Sequence, residues 1–401
     1  MRKCASSANG RELRTRCTCS LGVVSSTDPR AVPDRCPGAL STHQAADGPL
    51  ARVRLPGGQL TPGQMLALAQ AARDLGNGSM ELTSRGNIQF RAVQDSDELA
   101  RRLADAGLLP SATHERVRNI LASPLTGRVG GLVDVRGLIS TLDDAVCADR
   151  ELAGLPGRTL FALDDGRGDV IASDPDFAVR AVTPTTYALV LSGVDSRVRI
   201  VGSDVVDVLV ASARAFVRMR TTEWRLSELD DGRARVLTEL GLTPADNVDS
   251  LVAPDGVPPI GWIPQDDGWV SLGGALALGT LDARLGEFLA AIDTPLVMTP
   301  WRSLVVCDLD ENAAEAVVRV LAPMGLIFDE NSPWIDASAC TGSPGCEKSH
   351  ADVRSDLRDA IETGAVTRSG RQHWSGCDRR CGKPKGAVLD VVAGPSGYRV
   401  S

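Results

Sequence analysis

Aromatic residues are scarce. They make up 3 % of the 401 residues, with two Tyr, six Phe and six Trp, so a core built mostly from Val, Leu and Ala is expected. Long apolar runs are missing too. No stretch approaches the length of a membrane span, about 20 residues, and the first residues lack the apolar h-region of a secretion signal. These absences predict a cytoplasmic protein with no membrane partner, in which cysteines serve more often as metal ligands or free thiols than as disulfides. No G-x-G-x-x-G and no G-x-x-x-x-G-K-[ST] occurs, so no nicotinamide, flavin or nucleotide fingerprint is present. Electrons are therefore expected from an external donor protein. Positive net charge is lacking: the formal value is −8, which gives no reason to expect a nucleic-acid partner. Histidine is rare, and His43, His114, His350 and His373 form no tight ligand spacing. His350 and His373 flank the cysteine loops described next, where a second metal is possible and a structural role is the simpler expectation.

Cysteine is present in number, ten in all. Cys340 and Cys346 in ACTGSPGC form C-x5-C, and Cys377 and Cys381 in SGCDRRC form C-x3-C. A [4Fe–4S] cube needs four thiolates converging from different directions. Gly342, Pro344 and Gly345 give the first loop the turns to wrap one corner. Zinc ribbons prefer other spacings, and zinc or disulfides remain the alternatives at this point. Cys4, Cys17 and Cys19 lie in residues 1–33, a stretch poor in large apolar residues that is expected to be a disordered extension.

From Asp34 a pattern β-α-β-β-α is read. A strand at Ala51–Leu55 is followed by a helix capped by Thr61 with Pro62 at its first position. Strands are expected at Met80–Thr83 and Ile88–Val93, then a helix from about Ser96 to Ala106. The same order returns from Trp269, with Thr280 as the expected helix cap, strands at Pro295–Met298 and Ser303–Leu309, and a helix ending near Gly325. Thr61 pairs with Thr280, Ile88 with Leu304 and Gly107 with Gly325, at a spacing of roughly 216 to 219, an internal duplication that sets the architecture. The fold class is α/β (α+β). Duplicated ferredoxin-like half-domains pair about a pseudo-twofold, and two further α/β segments follow them in the chain. The expected segments are 34–110 and 251–327 for the two copies, 111–250 for the α/β stretch between them, and 328–401 for the cysteine-bearing domain.

Several arginines sit at element ends: Arg52 and Arg54 at the RLPGG turn, Arg85 in LTSRGNIQ, Arg118 beside Asn119 in VRNILASP, and Arg128 beyond. Guanidinium forks bind carboxylates through paired, charge-assisted bonds. A cluster of them beside a metal site suits a ligand with many carboxylates, although any single one could be a solvated surface arginine.

ELTSRGNIQ, VRNILASP and C-x5-C…C-x3-C on a duplicated half-domain resemble the sulfite and nitrite reductases that carry sirohaem and a [4Fe–4S] cluster. The resemblance runs from about Asp34 to the C-terminus. DRCPGAL, AADGPLARVRLPGG and LFALDDGRGDV look more like one branch of that superfamily, the precorrin-3B synthases of aerobic cobalamin biosynthesis. The resemblance implies that Cys340, Cys346, Cys377 and Cys381 hold the cluster, with Cys381 also facing sirohaem iron. It implies that Arg54 and Arg118 face an oxyanion, and that Arg85 and Gln89, with Asn119, belong to the macrocycle-binding set. The reductases carry two lysines where this chain has Arg158 and Leu160, so Arg158 keeps one cation of the catalytic pair and Leu160 loses the other. That loss counts against a six-electron reduction, which needs repeated proton delivery. The resemblance thus implies an oxygenase that uses O2 to hydroxylate precorrin-3A, a tetrapyrrole, and closes a γ-lactone with its ring A acetate. A second iron centre would activate O2, either a mononuclear non-haem iron, which is favoured, or sirohaem. The rival readings are a sirohaem-dependent sulfite or nitrite reductase and a non-enzymatic iron–sulfur module.

Overall fold

Thr61 opens the first helix through a capping box. Its Oγ1 accepts from the Gln64 N–H at 3.2 Å, and the Gln64 side chain accepts from the Thr61 N–H at 3.0 Å, which satisfies two N-terminal donors reciprocally. The helix runs Pro62–Leu75 and buries Met65, Leu68, Ala69 and Ala72. Each fully buried Leu or Met in such a stripe contributes roughly 1.5–3 kcal/mol. A second helix, Ser96–Asp105, is capped by Asp95. The computed structural model describes residues 34–401 except positions 35, 247, 248, 255, 369 and 385. The stretch 1–33 and its cysteines, expected to be a loose extension, lie outside the described residues.

The second copy repeats this order with one correction. Its helix is Ala283–Ala291, and Asp282, not Thr280, caps it by accepting from the Arg284 N–H. Thr280 is occupied elsewhere, in the short strand Thr280–Asp282, which pairs with Ser79–Leu82 of the first copy. Reciprocally, Gln59–Leu60 of the first copy pairs with Leu296–Met298 of the second. Each copy thus lends one strand to the other's sheet, the geometry of a pseudo-twofold pair. Met65, Leu68 and Met80 share one core with Leu281, Leu285 and Leu289. The turns that precede the exchanged strands also match. Gly58 has φ +70°, and a Cβ there would stand 1.9 Å from the Met298 carbonyl oxygen, so only glycine fits.

Between the copies lies a five-stranded mixed sheet. Ile120–Ala122, Phe161–Asp164 and Phe177–Ala181 run parallel, and Thr186–Leu191 and Val194–Val201 complete it antiparallel. The helices Arg136–Ala148 and Val205–Met219 share its core with the strands. Three of the few aromatics concentrate there, with ring centroids of Phe161 and Phe177 5.6 Å apart and of Phe177 and Phe216 6.0 Å apart.

The C-terminal sheet sets the cysteines in place. Ala337–Ala339 and Gln372–Ser375 are adjacent parallel strands, with Leu389–Gly394 parallel beyond them and Gly397–Val400 closing the edge. Cys340 follows the first strand directly and Cys377 follows the second after one residue. Adjacent parallel strands end on the same side of a sheet, so both cysteine loops open at one edge. The helix Val353–Glu362 connects them. Among the described residues no helix is long and apolar enough to cross a membrane.

Candidate metal centre and arginine bay

The four cysteines share one neighbourhood. Burial, and then the sulfurs of Cys340, Cys377 and Cys346, push the Cys381 thiol up, with Arg379 opposing. The Gly376 N–H donates to the Cys340 Sγ at 3.2 Å, the kind of bond that favours a thiolate. Gly376 is itself required by the crossing of the two loops, since a Cβ there would stand 1.8 Å from Ser349 Oγ. Among the described residues no three His, Cys, Asp or Glu side chains are grouped as ligands of a single ion. A tetrahedral ion with bonds of about 2.3 Å would draw its sulfurs to within about 4 Å of one another, whereas a cube holds its corner thiolates further apart. His373, a possible second-metal ligand, is fully buried and placed between Ser338 Oγ at 2.9 Å and the Cys381 carbonyl at 3.1 Å. Burial, then Arg302, pulls its pKa down to about 4. It works as a neutral strut, while His350 is exposed.

Two arginines tie the first cysteine loop to the first copy. Arg91 donates twice to Asp47, at 2.7 and 2.8 Å, and reaches Thr341 Oγ1 and the Gly345 carbonyl. Arg354 donates to the Cys340 carbonyl and, at 2.6 Å, to Glu81. Glu81 also accepts from Gln89, whose Oε1 takes the Arg52 guanidinium at 2.6 Å.

A cavity of about 540 Å³ opens next to Gly382, the neighbour of Cys381. Arg85, Arg225, Arg302, Arg371 and Lys383 are among its lining residues, together with Leu160, Asp169 and Trp301. They come from all four parts of the fold, so the bay forms only when the parts are assembled. Arg85 joins it to Arg52 and Arg54. Burial, then Arg52, lowers Arg54 to about 9. Burial, then Arg225, lowers Arg85 to about 10. Burial also lowers Arg52 and Arg302. Among the described residues none of these four arginines is ion-paired with a carboxylate, and Arg54 Nη1 and Arg52 Nε are buried without a hydrogen-bond partner. A buried, unpaired cation is costly unless an anion is provided.

Three expected site residues lie elsewhere. Arg118 is closed around Asp143, at 2.7 and 2.6 Å, and its third contact is the Leu108 carbonyl. Its fork is used up, so it is a framework arginine rather than an oxyanion ligand. Asn119 donates to the carbonyls of Arg116, Gly157 and Thr159 and accepts from Asn87, which makes it a loop bracket. Arg158 is exposed and stacks over Trp224 at 4.4 Å, away from the bay that Leu160 lines. Arg128, the outlying member of the cluster, pairs with Asp308 at 2.8 Å and fastens the middle segment to the second copy. Arg91, Arg225, Arg302, Arg354 and Arg371 were missed because no local motif marks them. They come from a strand end, turns and the helix Val353–Glu362, and only the folded chain brings them together.

Residues 43–106 match the nitrite/sulfite reductase ferredoxin-like half domain. The chain is 27 % identical over 405 positions to a precorrin-3B synthase from a Sinorhizobium species, an alignment covering 96 % of this chain and 86 % of that protein. The chain is thus similar to a precorrin-3B synthase over nearly its full length, and residues 43–106 resemble the half domain of nitrite and sulfite reductases. It is also 35 % identical over 132 residues to a ferredoxin–nitrite reductase of Leptolyngbya laminosa, 31 % of this chain and 26 % of that protein. The solved structure of the Mycobacterium tuberculosis NirA protein matches with a TM-score of 0.75 at 20 % identity, over 88 % of this chain and 73 % of that one. That likeness concerns the fold, and it agrees with the paired half-domains seen here.

Proposed function

We propose that the chain is an oxidoreductase of the precorrin-3B synthase type, a monooxygenase acting on precorrin-3A with O2 and electrons from an external protein donor. The observation that carries this reading is the bay, in which Arg85, Arg302 and Arg371 have no ion-paired carboxylate among the described residues and stand beside a loop of converging cysteines. A tetrapyrrole with acetate and propionate arms supplies the missing anions. The near full-length similarity to a precorrin-3B synthase supports the same substrate class.

In this reading Cys340, Cys346, Cys377 and Cys381 would hold a [4Fe–4S] cluster, which supplies one-electron transfer when bound. Arg85, with Arg302 and Arg371, would orient the macrocycle through its carboxylates. Gln89 and Arg52 would form the layer behind them, linked through Glu81 to the Arg354 that grips the cysteine loop. Arg54 would add positive potential from behind Arg85. Leu160 and Trp301 would keep one wall dry, which strengthens each charge-assisted contact. A sirohaem-dependent nitrite or sulfite reductase remains the second reading. The NirA-like fold favours it, and the leucine at position 160, where a lysine would stand, weighs against it. Anaerobic purification followed by optical and EPR spectra with iron and sulfide counts separates the two. A cluster signal without a sirohaem band, together with O2-dependent conversion of precorrin-3A, is expected. A stoichiometric sirohaem band with nitrite or sulfite turnover would overturn the proposal.

A further inference from the structure

Among the described residues the bay contains two carboxyl groups, and they are not equivalent. Asp336 is paired with Arg368 at 3.2 Å. Asp169 has no cation within hydrogen-bond reach. Its nearest among the described residues, Arg167 Nε, is 4.0 Å away, and Arg167 Nε and Nη2 donate instead to Asp165 and the Val129 carbonyl. One contact holds Asp169: Ser123 Oγ donates to its Oδ1 at 2.7 Å. That hydroxyl also accepts from the Asp165 N–H at 3.2 Å, so its proton is committed to Asp169. The other oxygen, Oδ2, is left with the distant Arg167 alone, and the side chain keeps 16 % exposure in a residue that lines the bay.

The turn that presents Asp169 is locally fixed. Asp164 Oδ1 accepts from the N–H groups of Gly166 and Gly168 at 2.9 and 2.7 Å, which folds DDGRGD into a tight loop at the end of the strand Phe161–Asp164. Leu160, at the start of that strand segment, lines the same bay. This wall therefore carries no lysine, and its only free carboxyl among the described residues is Asp169.

We propose that Asp169 is the proton-transfer residue of the bay, giving up and taking back a proton at Oδ2 beside the bound tetrapyrrole. The proposal rests on the reading of the bay given above. Insertion of one atom of O2 into a C–H bond consumes two electrons from the external donor and two protons, and releases the other oxygen as water. Asp169 supplies one of those protons and is reloaded from solvent through the mouth of the bay. Burial, and then the Asp164 carboxylate, raise Asp169 to about 7, with Asp165 adding and Ser123 and Arg167 opposing. Arg85, Arg225, Arg302, Arg368, Arg371 and Lys383 are the cations on the remaining walls among the described residues, with Arg225 held by Asp176 and Arg368 by Asp336. A donor near the working pH is the efficient case for general acid catalysis.

The test uses the full chain with its cluster and has three readouts. Asp169→Asn should bind uroporphyrin III within about threefold of the parent yet turn over precorrin-3A about a hundredfold more slowly. The parent's rate should fall as pH rises through the Asp169 titration, and this alkaline limb should be missing in Asp169→Asn. Asp169→Glu should restore part of the rate. Calorimetry with uroporphyrin III near neutral pH, in two buffers of different ionisation enthalpy, should show proton uptake on binding by the parent and none by Asp169→Asn. Parental turnover and an intact alkaline limb in Asp169→Asn would overturn the proposal. If the parent neither binds nor converts a tetrapyrrole, the reading of the bay fails separately. A carbon-13 titration of the aspartate carboxyls then decides for Asp169 alone. A midpoint between roughly 6 and 8 that disappears in Asp169→Asn supports it, and a midpoint below about 5 refutes it.

Discussion

Two sets of arginines share this fold and differ in one respect. Arg91, Arg118 and Arg128 are buried, and each closes its fork on an aspartate: Asp47, Asp143 and Asp308. Arg54 lies as deep, while Arg52, Arg85 and Arg302 are half-buried, and these four face one another, main-chain carbonyls, the Gln89 amide and open space. Burial lowers the second set's pKa values, and Glu81, Glu115 and Asp176 offset this only in part, without forming an ion pair with any of the four among the described residues. The first set joins segments of the fold. The second leaves positive charge only partly compensated beside the cysteine loops, a cost that folding alone does not explain. The difference separates framework from site more sharply than sequence position does, since Arg118 and Arg85 both sit in motifs of the same kind.

The comparison can be broken by exchanging the fates of its members. Arg118→Met strands Asp143 as a half-buried unpaired carboxylate, so a loss of about 3 kcal/mol, the low end for a broken buried pair, is expected in urea unfolding. Arg85→Met removes a cation whose one hydrogen bond is a marginal 3.5 Å contact and whose charge is costly where it stands, so stability equal to or above the parent's is expected. Equal losses would erase the distinction. A smaller effect is expected at Asp169. Its folded pKa is raised above the unfolded value, so its contribution is full at acid pH and is lost as pH rises through about 7. Asp169→Asn should therefore be more stable than the parent at pH 8 by roughly 1–3 kcal/mol, with the gap closing toward pH 4. Stability curves at four pH values check this. The smallest effect concerns Arg85→Lys, which keeps charge but loses the fork. It should recover part of the tetrapyrrole affinity lost in Arg85→Ala, to within about tenfold of the parent by fluorescence titration.

Much of the fold was legible because its signals are local and periodic. Val205–Met219 and Ser303–Leu309 follow from hydrophobic period alone, and the repeated β-α-β-β-α order announced the duplication. The cap at Asp282 was misread because Thr280 resembles Thr61 in type, and pairing with Ser79–Leu82 outweighed that likeness. The candidate site was legible only in part. Cysteine spacing marks a metal site in sequence, whereas an arginine's partner does not show. Nothing near Arg118 in the chain reveals Asp143, a full 25 residues on, and nothing near Arg158 reveals Trp224. Arg302 and Arg371 belong to the bay through tertiary assembly, which no local pattern encodes. Asp169 was visible only as one acid in an acidic motif, and its lack of a counter-ion is a property of the folded loop.

The central claim is that the unpaired arginines exist to hold a polyanionic tetrapyrrole. The direct measurement is a titration of the parent, Arg85→Ala and Arg118→Ala with uroporphyrin III, each protein first shown to be folded under the conditions used. A lost charge-assisted contact is worth about 1.5–3 kcal/mol, so Arg85→Ala should bind roughly ten- to a hundredfold more weakly with an unchanged cluster spectrum. Arg118→Ala should bind like the parent. If Arg85→Ala keeps parental affinity, or if Arg118→Ala loses as much, the division between framework and site arginines is wrong.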